Sequence, residues 1–132
     1  AGTTYDYSTP EKALQSLENA YTNKDIEAAV QSKAFSREAL NMLLSLGHKD
    51  IIDDDLVKKT AEVLELSFRK QVHDNGFPNF TNISCSATAK VTGKDIAIIT
   101  EICRYPDKGI SKQKLNAYLI ENKWKVGEVI QE

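Results

Sequence analysis

The chain has 132 residues, 41% hydrophobic and 27% charged, which suits one domain, residues 1–132, able to bury a core without metal or disulfide staples. Its 17 basic and 19 acidic side chains leave a net charge of −2, so no general attraction for nucleic acid or acidic membranes is expected. No apolar run approaches the roughly 18 residues that span a bilayer.

The first half carries helical periodicity. Ser8 or Thr9 caps a first helix with Pro10 in its opening turn, where the missing N–H is harmless, and Glu11 stands at capping-box spacing from Ser8. Ala13, Leu14, Leu17, Ala20 and Tyr21 fall on one face. Asn23 and Lys24 break that helix, and Asp25 caps a second with Ile26, Ala29 and Val30 inward. Ser36 opens a third with Ala39, Leu40, Leu43 and Leu44 inward, closed by Gly47. Asp53, Asp54 and Asp55 precede the longest helix, where caps and the helix dipole favour negative charge. Its inner face reads Val57, Thr60, Ala61, Leu64, Phe68 and Val72, and Asn75-Gly76 followed by Phe77-Pro78 ends it.

The period then changes from 3.6 to 2. Strands are expected over 80–92 and 95–105 around TGKD, and over 111–121 and 124–131 around ENKW. Helices followed by antiparallel strands make an α+β protein. A two-residue type II′ turn at Gly93-Lys94 sets Val91 against Ile96, Ala89 against Ile98, Ala87 against Thr100 and Cys85 against Ile102. That register gives one apolar face and places Cys85 and Cys103 on opposite faces, unbonded. It also turns Glu101 to the outer side. In the last hairpin Leu115, Ala117, Leu119, Val126 and Ile130 share a face that Trp124 closes near the turn, and Glu128 is its one charged member.

The stretch STPEKALQSLENAYTNKDIEAA and the terminal LIENKWKV resemble the two ends of the nuclear transport factor 2-like superfamily, in the cystatin-like α+β roll. The resemblance covers nearly the whole chain. It implies N-terminal helices packed on a curved antiparallel sheet of about four strands, often around a conical pocket. The family has a short strand between its second and third helical segments. That region here is SREALNMLLSLG, so the strand is expected to be lost or reduced. Among the functions such folds carry, the opening and AFSREAL resemble the bacterial immunity variant, which binds and neutralises a partner toxin.

Two functional readings follow. The first is a non-enzymatic protein-binding domain. Its contacts are the outer sheet face and an acidic edge of Asp50, Asp53, Asp54 and Asp55 suited to a basic partner; homodimerisation through the sheet face, with Lys90, Thr88, Ile99, Glu101 and Tyr118, is the related possibility. The second is a small-molecule or isomerase- or hydrolase-like site in a cone lined by Glu128, Leu115, Leu119, Trp124 and Val126. There a carboxylate on an apolar face would have a raised pKa. His48 and His73 read as solvated, and Tyr21, Tyr105, Tyr118 and Thr100 as packing groups. No nucleophile, phosphate-loop or dinucleotide motif occurs, and neither a cofactor nor a metal is expected. Asn79-Phe80-Thr81 and Asn82-Ile83-Ser84 read as chance matches to the glycosylation sequon. The chain begins at Ala1 without methionine. The compartment expected is cytoplasmic, with export or lipid anchoring after leader removal as the alternative.

Overall fold

The computed structural model describes residues 5–47 and 49–131. Helices α1 (Pro10–Asn23), α2 (Ile26–Gln31), α3 (Phe35–Ser45) and α4 (Asp54–Asn75), with a 3-10 turn at Lys49–Ile51, precede four strands: β1 (Ser84–Val91), β2 (Ile96–Arg104), β3 (Ile110–Ile120) and β4 (Lys123–Val129). The protein is therefore α+β. The strands form one antiparallel sheet in the order β1-β2-β3-β4, with β1 at an edge. The chain divides into two compact units, Ala34–Gly76 and the described residues of Ala1–Lys33 with Phe77–Glu132.

In the sheet unit, Thr9 Oγ1 accepts from the Lys12 N–H at 3.1 Å and Pro10 opens α1. Lys24 ends the helix in the left-handed region (φ 55°), and Asp25 caps α2 through the Ala28 N–H. The expected face of α1 is buried through Ala13, Leu14, Leu17 and Ala20 and lies against β4, β1 and β2. Tyr21 instead meets the rings of Phe77 and Phe80. Between α2 and α3 the described residues form a single parallel bridge, Lys33 to Val126, beside a Val126 N–H···O=C Ser32 bond of 2.8 Å.

In the helical unit, α3 starts at Phe35 rather than Ser36, with Ala34 at the cap and no side-chain cap bond. Gly47 closes it at φ 81°. Asp53 caps α4 through the Leu56 N–H at 2.8 Å. The expected stripe from Val57 to Val72 is partly buried, and Phe68 packs on Phe35 with ring centroids 5.8 Å apart.

The register of β1 on β2 corrects the expectation. Cys85 stands opposite Cys103, Ala87 opposite Glu101, Ala89 opposite Ile99 and Val91 opposite Ala97, one residue from the register expected. The turn is the cause. A type II′ turn needs positive φ at its first central residue, and Gly93 is not among the positive-φ glycines. The connection is instead the three-residue loop Gly93-Lys94-Asp95, with the Thr92 N–H bonded to the Ile96 carbonyl at 3.0 Å. Since a one-residue slip turns a strand over, the buried face of β2 is Ala97, Ile99, Glu101 and Cys103. The two cysteines are joined, not free: the Cys85–Cys103 disulfide links directly opposed residues with Cα atoms 4.0 Å apart.

Candidate functional site

Two of the four acidic residues of the expected edge, Asp53 and Asp55, have a local role. Asp53 is the α4 cap, and Asp55 pairs with Lys59 at 3.1 Å one turn on. Asp50 and Asp54 are exposed. His48 lies outside the described residues, and the His73 ring is 88% exposed beside Asp74, a solvated position.

The expected cone residues are rearranged by a bulge. Pairing of β3 and β4 shifts between Leu115 and Ala117, which stand opposite Val129 and Val126. Ala117, Val126, Leu115 and Trp124 remain buried and Leu119 partly buried, but Glu128 leaves their row. Its Oε1 accepts from Tyr118 Oη at 2.6 Å and from Asn116 Nδ2 at 3.0 Å, side chains that alternate with Leu115, Ala117 and Leu119 along β3. Glu128 thus anchors the bulge to Tyr118. Of the residues considered for a dimer face, Ile99, Glu101 and Tyr118 are buried, at 3% exposure or less, and are not offered to a second copy.

The sheet unit does hold a cleft, of about 380 Å³, between α1 and β1. One face of α1 supplies Glu11, Leu14, Gln15, Glu18, Asn19 and Thr22; Phe80, Ile83 and β1 supply the opposite wall, and Glu101 enters from β2. None of the five cone residues lines it. The volume lies within the range of small-ligand sites.

Its chemistry centres on two carboxyl groups. Glu101 is 3% exposed, and its Oε1 accepts from Gln113 Nε2 at 2.9 Å. Glu18 shares a side-chain hydrogen bond with it, so one proton must sit between them. Burial first, then that hydrogen bond and the negative charge of Glu101, push the Glu18 carboxyl up to about 9. At neutral pH the pair therefore holds a proton between its two carboxyl groups. The disulfide lies beside the pair, with Cys85 in the cleft wall.

Turning Glu101 outward hid this pair from the sequence reading. The available signal was joint. The register that meets Cys85 with Cys103 also sends Glu101 inward, towards a helix whose polar stripe, Glu11, Gln15, Glu18 and Thr22, borders its apolar face.

Compared with protein-family models and with curated proteins, the chain matches none of them.

Proposed function

We propose that this chain is a non-enzymatic protein-binding domain, of the immunity type within the nuclear transport factor 2-like architecture, and that its partner lays an extended basic segment along β1. The observation that carries this reading is the α1–β1 cleft. Among the described residues, three carboxyl side chains, Glu11, Glu18 and Glu101, line it, and no Lys or Arg does. A guanidinium or ammonium entering there meets a net negative wall.

The edge position of β1 supports a protein as the source of that cation. Antiparallel pairing alternates bonded and non-bonded residue pairs. With Thr92 bonded to Ile96, the backbone groups of Cys85, Ala87, Ala89 and Val91 point away from β2. An added strand pairs with such groups and sends alternate side chains to one side. A toxin with a basic surface is a partner of this kind. The disulfide favours the exported alternative over the cytoplasmic one, because such bonds persist in oxidising compartments.

The enzyme reading moves to the same cleft, since two carboxyl groups that share a proton can act as an acid–base pair. It is the weaker reading because Glu101 is already engaged by Gln113 and Glu18.

Selection of displayed random peptides on the full chain tests the proposal. Enrichment of β-prone sequences with Arg or Lys at alternate positions is expected. Ala87→Pro removes one outward N–H while leaving the sheet ladder intact, and it should weaken the selected peptide by about tenfold or more. Glu18→Lys should abolish binding. Selected peptides without basic residues, or unaffected by both variants, overturn the reading.

A further inference from the structure

The cleft wall holds a second kind of chemistry, which does not depend on the binding reading. A ligand atom from each of Cys85, Cys103 and Glu101 lies within 4.8 Å of the other two. Two sulfurs and a carboxylate oxygen are the donor types that Zn²⁺ takes. The sulfurs are at present joined to each other.

We propose that reduction of the Cys85–Cys103 disulfide by a dithiol converts this cluster into a site for one thiophilic divalent cation, with both sulfurs and the Glu101 carboxylate as ligands. The reduction balances. The dithiol gives up two electrons and two protons and leaves as its own disulfide; the S–S bond breaks, and each cysteine gains a proton. Cation binding then releases both thiol protons to solvent as two metal–sulfur bonds form.

Three features of the fold suit this step. Directly opposed cysteines keep both sulfurs on one face of a two-strand ladder after the bond is cut, so the ligands stay gathered. A tetrahedral ion about 2.3 Å from each sulfur needs them only about 3.8 Å apart, a separation that side-chain rotation supplies. Gln113 holds Glu101 Oε1 at 2.9 Å, the kind of outer hydrogen bond that orients a carboxylate ligand. Cys85 and Glu101 both line the cleft, which admits the reductant and the ion and leaves a fourth coordination position to water.

The test uses the full chain, reduced with dithiothreitol, freed of it by gel filtration under argon, and titrated with Co²⁺ alone. The expected result is one equivalent bound, with sulfur-to-cobalt charge transfer in the near-ultraviolet, tetrahedral bands in the visible, and loss of both on adding Zn²⁺. The oxidised chain should show none of these signals. Cys103→Ser should lose most of the charge-transfer intensity. Glu101→Gln, which can still accept from Gln113, should weaken Co²⁺ by about tenfold or more. Three outcomes overturn the proposal: no charge-transfer band in the reduced chain, an unchanged Co²⁺ affinity in Glu101→Gln, or a reduced chain that loses its circular-dichroism spectrum and does not regain it with the ion.

Discussion

Glu18 is held in a form that an exposed glutamate abandons well below neutral pH. An unfolded chain releases the proton near the ordinary 4.5, and the folded chain near 9. Between those values the folded state binds more protons than the unfolded one. Stability from this group is therefore full below about pH 4.5 and is lost as pH rises towards about 9. Glu18→Gln keeps a neutral hydrogen-bonding side chain and removes the titration. Thermal melts between about pH 5 and pH 9 should show the native chain losing more melting temperature than the variant; parallel curves would count against the shared proton. A second residue with a defined task is Gly127. A Cβ there meets Tyr118 Cε2 and Cδ2 and comes within 3.0 Å of the Asn116 carbonyl, and Tyr118 is 2% exposed with its hydroxyl fixed to Glu128. Gly127→Ala should destabilise by about 1–3 kcal/mol, the range of forced overpacking. Equal denaturant midpoints for the two chains would refute that placement. Neither residue was legible alone. Glu18 sits on a polar stripe of its helix, and the role of Gly127 depends on a bulge that no local pattern announces.

At the scale of elements, what the chain writes locally was legible and what it writes between distant segments was not. Thr9, Asp25 and Asp53 cap the helices they precede, because a cap is a bond across three residues. The Glu121-Asn122 turn, both residues at positive φ, closes the last hairpin where ENKW places it. The first hairpin differs. Its second strand, IAIITEICR, is apolar at both parities, so alternation cannot choose a face. Glu101 then looks like the residue that excludes one face, although a partner on α1 is what lets it be buried. The disulfide carries an energetic consequence for this hairpin. Its cysteines are separated by 18 positions, a loop for which the closure entropy is about 3 kcal/mol. Cys85→Ser with Cys103→Ser should lower unfolding free energy by about that amount in urea, measured without reductant. Denatured native protein should yield no titratable thiol until reductant is added, then two. Free thiols before reduction would show the strands paired otherwise.

For the molecule as a whole, charge is unevenly divided. The segment Ala34–Gly76 holds six Lys or Arg against eight Asp or Glu, and the rest of the chain holds eleven of each. The net −2 thus resides in the helical unit, with Asp50, Asp53, Asp54 and Asp55 at the start of α4 and just before it. On the binding proposal, such a cluster would draw a basic partner by charge, an effect that physiological salt screens over about 8 Å. The cleft in the sheet unit would act through contact. These two modes separate kinetically, because remote charge governs association and buried contact governs dissociation. Replacing Asp53, Asp54 and Asp55 together by Asn keeps a capping side chain at Asp53 and removes three charges. Against a basic peptide selected on the native chain, that variant should associate about 2–10-fold more slowly at low ionic strength. The difference should vanish at high salt, and the dissociation rate should not change. Ala87→Pro should do the reverse, speeding dissociation with little effect on association. If the aspartate variant instead dissociates faster, the partner touches the start of α4 directly, and the acidic edge rather than the α1–β1 cleft is the site of recognition.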